Sequence, residues 1–174
     1  MKVIYEGSKA KGRAHISCIK YRNLKNISHY HSDYELVYIN EGRATVFINE
    51  NIFNLEADEC IFIHSHDIHY IQSDENTVIT VLKAENDYFK DVFASRRLLS
   101  PLINKRLDVE TFLNSVYSEI NSQMDHSDIM ADSISTQLFI ALLRSEQTTN
   151  FEPITSKKTN ASKLYRELCG KISN

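Results

Sequence analysis

Tryptophan is absent from this 174-residue chain, and glycine, proline and cysteine are scarce, at 4, 2 and 3 residues. So little glycine and proline excludes collagen-like and low-complexity chains. An apolar share of 42% against 25% charged residues excludes a wholly disordered one. The three cysteines, Cys18, Cys60 and Cys169, are odd in number and far apart, which argues against a disulfide framework and against a CxxC metal site. No apolar run approaches the ~20 residues a membrane span needs. The opening Met1-Lys2-Val3-Ile4-Tyr5-Glu6 lacks the apolar stretch of a signal peptide. These absences predict a soluble, reduced, cytoplasmic protein of one domain with an appendage, long enough to bury a real core.

An excess of positive charge is missing too. The net charge is −3, which argues against nucleic-acid binding by bulk electrostatics. The charge is uneven, however. Residues 1–28 carry seven bases and one acid, Glu6, whereas residues 29–90 carry three bases and twelve acids. This reads as a solvated basic arm over 1–12 beside an acidic domain, or as an arm that contacts an acidic surface of its own domain or DNA.

What is present is a change of period near residue 86. Before it, short runs rich in Val, Ile, Tyr, Phe and Thr predict strands near 13–21, 34–40, 43–49, 52–55, 59–64, 68–73 and 77–84. Glu41-Gly42 and Asn49-Glu50-Asn51 are hairpin candidates, and Ser73-Asp74-Glu75-Asn76 is a longer loop. After it the period is helical. A short helix is expected at 87–99, before Pro101. A second covers 108–124, with Asp108 as N-cap and Val109, Phe112, Leu113, Val116, Ile120 and Met124 as its stripe. A third runs from Asp128 to Glu146 with an apolar surface broad enough either for burial on two sides, against the barrel and a second subunit that Leu138 or Leu142 would face, or for one thick intramolecular core. Residues 147–160 read as a linker, and Ala161 opens a further amphipathic helix.

The chemistry concentrates in His29-Tyr30-His31-Ser32-Asp33-Tyr34-Glu35 and in the later run that ends at His69. Histidines at i and i+2 of a strand share a face. Glu35 keeps their parity, followed inward by Val37 and Ile39, while Leu36 and Tyr38 point outward. His69 on a later strand completes a set of three imidazoles and one carboxylate, suited to Fe, Ni, Mn, Zn or Cu. Polar lining of a pocket is the alternative use of the same residues. His64 and His66 read as exposed loop histidines, Cys60 as core, and Tyr21, Tyr30, Tyr34, Tyr38 and Tyr70 as barrel packing or as stacking surfaces for a ligand.

HxH, three residues, Glu, six residues and Gly42 is a spacing that resembles the first motif of the cupin superfamily. The segment from Asp58 to Ser73 resembles the second, with Asp58 and His66 at its usual glycines, His64 at its proline and Ser73 at its asparagine. The run HYHSDYELVYINEGRATVFINENIFNLEADECIFIHSHDIHYI is similar to the N-terminal domain of arabinose-regulator-type (AraC family) transcription factors, and the likeness covers about 10–149. The resemblance implies a mainly β, cupin-like (RmlC-like jelly-roll) barrel over 13–86 followed by two or three helices, with 87–146 as a helical dimerisation segment. It implies an effector-sensing, non-enzymatic module that binds a small polar, sugar-like ligand through His29, His31, Glu35, His69 and Tyr38. The same His29, His31, Glu35 and His69 would hold a divalent transition metal if one is used; none is required. A homodimer through the helices near 108–146 is expected. DNA would be contacted through a C-terminal domain that begins at 161–174, and no membrane is involved. A metal-dependent cupin enzyme, an oxygenase or an isomerase, is the alternative.

Overall fold

The computed structural model describes residues 3–6, 14–94, 96–122 and 124–150. Most of the arm expected over 1–12, the linker beyond residue 150 and the segment 161–174 lie outside the described residues. All seven strands read from the sequence are present: β2 (Ile16–Arg22), β4 (Tyr34–Glu41), β5 (Arg43–Ile48), β6 (Asn51–Glu56), β7 (Cys60–Ile63), β8 (His69–Ser73) and β9 (Val78–Ala84). Two two-residue strands join them, β1 (Ile4–Tyr5) and β3 (His29–Tyr30). One sheet runs β1-β3-β8-β5-β6 and the other β2-β9-β4-β7. The helices come next in the chain as α1 (Asn86–Phe93), α2 (Val109–Asn121) and α3 (Ser127–Ser145). This is the mainly β, cupin-like architecture with trailing helices that the motifs imply.

Strand β4 shows why two cores form. Its sequence Tyr34-Glu35-Leu36-Val37-Tyr38-Ile39 is buried throughout, because both faces of its sheet are covered. Val37 and Ile39 turn inward to meet Val46, Ile48, Leu55 and Ile71 of the opposite sheet. Tyr34, Leu36 and Tyr38 turn outward and are roofed by Phe89, Phe93, Leu113, Val116, Leu138, Phe139 and Leu142 of the helices. Each such fully buried side chain contributes roughly 2 kcal/mol. Asp108 caps α2, accepting from Thr111 N–H at 3.1 Å. Leu138 and Leu142, expected to face a partner, are instead 0% and 1% exposed, because α3 spends that side on the sheet.

Several local readings need correction. Glu41-Gly42 is not a hairpin, since β4 and β5 lie in different sheets and Gly42 is the corner between them. There φ is +81°, and a Cβ would stand 2.6 Å from Thr77 Oγ1, so conformation and space both exclude a side chain. Ser73–Asn76 likewise leads from one sheet to the other, whereas Asn49-Glu50 does close the β5–β6 hairpin. α2 ends at Asn121, leaving Met124 outside it and 74% exposed. α1 stops at Phe93, where Ala94 adopts a left-handed conformation and its N–H returns to Lys90 O. The next element is a strand, β10 (Arg96–Leu98), paired with β11 (Thr148–Asn150). The first residues of the expected linker are therefore part of the folded unit.

β10 is held against the loop between β7 and β8 by Asp67 and by His64, a histidine that reads as exposed from the sequence. His64 is 8% exposed, and its Nε2 accepts Leu98 N–H at 3.0 Å. Asp67 takes both carboxylate oxygens to Arg97 Nη2, at 2.5 and 2.7 Å. His66, by contrast, is exposed as expected. Burial, with the charge of Arg97, pushes the His64 imidazole down to about 4 from 6.5, against the pull of Asp67. Between those two values the unfolded chain takes up a proton that the folded chain refuses, so stability falls as pH falls through the window. Wild-type protein should lose about 3 kcal/mol through His64 on going from pH 7 to below 4. In urea unfolding the His64→Gln variant should show a flatter pH dependence over this range; equal slopes in both proteins would exclude a neutral buried His64.

Candidate metal and ligand centre

The strand register delivers the four expected residues to one end of the two-sheet layer. His29 on β3 is the direct cross-strand partner of His69 on β8. Glu35 on β4 is the partner of Lys83 on β9 in the other sheet. His31 lies one residue beyond β3. The ring centroids of His29 and His69 lie 4.2 Å apart, and those of His31 and His69 4.9 Å. The liganding atoms of His29, His31, Glu35 and His69 all fall within 4.8 Å of one another, and all four residues are buried.

Each ring is anchored in the same way. Nδ1–H of His29 donates to Ile27 O at 2.9 Å, that of His31 to Asp33 O at 3.1 Å, and that of His69 to Asp67 O at 2.9 Å. A carbonyl oxygen only accepts, so the hydrogen belongs on Nδ1 and Nε2 is presented to the centre. This is the outer-shell arrangement that fixes the tautomer of metal-binding histidines. His31 Nε2 lies 2.8 Å from Glu35 Oε2. Two acceptors at that distance need a proton between them or a cation beside them. His69 Nε2 lies 3.6 Å from the same oxygen, too long for a hydrogen bond, and is a buried atom without a hydrogen-bond partner. The orphaned Nε2, the donor types and their spacing fit a first-row divalent ion.

The electrostatics centre on Glu35, which is 2% exposed. Burial opposes its ionisation, but the His31 hydrogen bond with the charges of His69 and Lys83 outweighs it and holds the carboxyl well below the usual range. Burial also opposes the charges of His69 and Lys83. For His69 the carboxylate of Glu35 reverses that, and for Lys83 the carboxylates of Glu35 and Glu6 do so; both groups are raised. His29 is lowered, by burial first and then by the neighbouring His69.

Two functional side chains were missed in the sequence. Lys83 Nζ stands 3.5 Å from Glu35 Oε2 and 3.0 Å from Glu6 Oε2. Glu6 Oε2 is also 3.4 Å from His29 Nε2. Both left a signal: Lys83 is the one charge in Val78-Ile79-Thr80-Val81-Leu82-Lys83-Ala84, and Glu6 the one acid among the basic residues of 1–28. Tyr38 does not belong with the four. It lies on the helix-facing side of β4, where its hydroxyl donates to Asp58 Oδ1 at 3.1 Å. Tyr34 stacks on Phe93 and Tyr70 on Phe47, both as packing; Tyr21 packs against the core between the sheets and Tyr30 against Tyr5.

Metal-free protein titrated with Co2+ should therefore take up one equivalent, read by calorimetry and by the ligand-field absorption of the ion. His69→Ala and Glu35→Gln should each weaken uptake by at least about tenfold. Uptake that neither variant changes would place the ion elsewhere.

No curated protein matches the chain. Among solved structures, an RmlC-like cupin from Shewanella frigidimarina aligns at 17% identity and a TM-score of 0.39, covering 44% of this chain and 74% of its own. An oxalate decarboxylase from Bacillus subtilis, studied for its Mn(II) centres, aligns at 16% identity and a TM-score of 0.38, covering 45% of this chain and 23% of its own. Likeness at that level carries no functional weight. The model of the AraC-like ligand binding domain, in contrast, matches residues 17–155, which include nearly all of β2 through β11 and every residue of the centre except Glu6. The chain belongs to the AraC-like ligand-binding domain family.

Proposed function

We propose that the chain is the sensing and dimerising part of a transcription regulator, and that it binds a small polar effector without catalysing a reaction. The observation that carries this reading is the buried His29, His31, Glu35 and His69 cluster. Burying a carboxylate costs several kcal/mol unless partners offset it. Here the residue after β3, the start of β8 and β9 supply those partners to Glu35 of β4 at one point, which the packing of the cores does not require. Clusters of this kind mark binding sites. The ligand-binding family supports a bound effector. Such a ligand shifts the protein by binding one arrangement better than another. DNA would be contacted elsewhere in the regulator, since α1, α2 and α3 all contribute side chains to the core on one sheet.

The donor set also favours a second reading, a metal-dependent cupin enzyme. If an ion is bound, His29, His31, Glu35 and His69 would hold it, and it would supply Lewis acidity to an oxygen ligand. In either reading the chain's own residues act alike. Backbone carbonyls orient the imidazoles, and Lys83 balances the charge of Glu35.

The helices offer the dimer surface. Ile129, Met130 and Ile140 of α3 are 59%, 52% and 37% exposed. Ile140 lines an open groove of about 640 Å³ with Phe112, Gln137, Ala141, Arg144 and Ser145. A second copy packing there would cover the apolar side of α3 that the sheet leaves open.

Two outcomes check these proposals. In a thermal-shift screen of sugars and small organic acids, at least one compound should raise Tm, and His29→Ala should weaken its binding by about tenfold or more. Hits insensitive to the site variant, or no hits at all, would remove the sensor reading. In sedimentation, the chain should be a dimer at micromolar concentration, and Ile140→Glu should make it monomeric while circular dichroism shows the fold retained; a wild-type monomer would remove the dimer.

A further inference from the structure

Glu6 stands on the partly exposed side of the centre, beside Lys83 and His29. The donor atoms of the centre lie within 4.8 Å of one another, a span that admits an ion and excludes an organic molecule among them. An organic effector therefore sits beside the centre. Side-chain exposure points to the side: His69 and Glu35 are at 0% and 2%, whereas Lys83 and Glu6 are at 26% and 28%. The Lys83–Glu6 pair is thus the solvent face of the centre, and the Glu6 carboxylate fills it, 3.0 Å from Lys83 Nζ and 3.4 Å from His29 Nε2.

The charge at that place is also set. Glu35 is shared among His31, His69 and Lys83. Without Glu6 the ammonium of Lys83 has, among the described residues, a fraction of one carboxylate as counter-ion, and a bound metal cation would deepen the deficit. The position calls for an anion whether or not a metal is present. The strand that delivers Glu6 is only two residues long, fastened by Ile4 N–H to Ser28 O at 3.2 Å and Glu6 N–H to Tyr30 O at 2.9 Å. Ile4 and Tyr5 are 40% and 55% exposed, and Tyr5 meets Tyr30 at 5.3 Å between centroids. A partly exposed ion pair on so short a strand is a weak clasp.

We infer that the effector carries a carboxylate that takes the place of Glu6 beside Lys83 and His29, and that its binding releases the strand Ile4–Tyr5. The inference rests on the sensor reading and names its ligand class. A carboxylate is favoured over a phosphate because the position already holds the carboxylate of Glu6 and, among the described residues, is served by the Lys83 ammonium rather than by the guanidinium fork that phosphate recognition favours. Glu6 acts as a tethered competitor with an effective concentration on the order of millimolar.

Acetate tests this without knowledge of the effector. In the 174-residue chain carrying Glu6→Ala, acetate should refill the vacated position and raise Tm saturably, by about 3 °C at ten times its dissociation constant. Wild type should respond at least about tenfold more weakly, with faster hydrogen exchange at Ile4 and Tyr5 as acetate binds. Glu6→Ala/Lys83→Gln should not respond, nor should Glu6→Ala respond to acetamide or inorganic phosphate. Equal response in all three proteins, no response to acetate in Glu6→Ala, or equal response to acetamide or phosphate would overturn the inference. If the double variant does not fold, acetate against acetamide in Glu6→Ala decides. A neutral sugar that binds in the screen while acetate fails here would leave the sensor standing and remove the carboxylate.

Discussion

One buried carboxylate sets the terms for this end of the molecule. Glu35 points between the two sheets with 2% of its surface exposed, and an unpaired charge there would cost more than any single core contact returns. Its partners come from separate elements: His31 at the end of β3, His69 at the start of β8 and Lys83 from β9. The cross-strand pairs His29 with His69 and Glu35 with Lys83 are the places where each sheet contributes. Removing one member leaves a buried partner without the counter-charge or hydrogen bond it was placed for, so the members of the cluster depend on one another.

The same constraint reaches the helical half through one turn. The segment from the end of β7 to the start of β8 carries His64, Asp67 and His69. His69 faces the centre, Asp67 O receives its Nδ1–H, and the carboxylate of Asp67 is tied to Arg97 of β10. His64 accepts from Leu98 one residue on. β10 in turn pairs with β11, the last described strand. Beyond β10 the chain runs along β7, with Phe62 N–H donating to Pro101 O and Ile103 N–H to Cys60 O. The site, the strap over β7 and the end of the described chain are thus one connected structure.

Much of the fold was legible because its local signals agree. The β-branched and aromatic runs of β5 and β9, the stripe in α2, the Asp108 cap and the Asn49 turn each act over a few residues, and each is found. Asp58 and His66, standing where the second motif has glycine, keep φ of 65° and 67°. The backbone shape outlasts the residue that makes it inexpensive, which is why the motif is readable in degraded form. The same locality misleads at Gly42. A glycine between two strands reads as a hairpin, yet whether the next strand returns to the same sheet depends on contacts far along the chain at Thr77.

Sequence alone determined the strand and helix periods and the residues His29, His31, Glu35 and His69, because spacing on a strand decides which side chains share a face. It did not determine what surrounds them. That His64 is buried, that Leu138 and Leu142 face inward and that Arg96–Leu98 is a strand were decided by packing between distant segments. Lys83 and Glu6 are the sharpest case. They are 77 residues apart, and each is an ordinary charge in its own neighbourhood. Only the antiparallel register of β9 with β4 and the parallel docking of β1 on β3 bring them to the same centre, since a charge acquires its role from the dielectric and the partners that folding places around it.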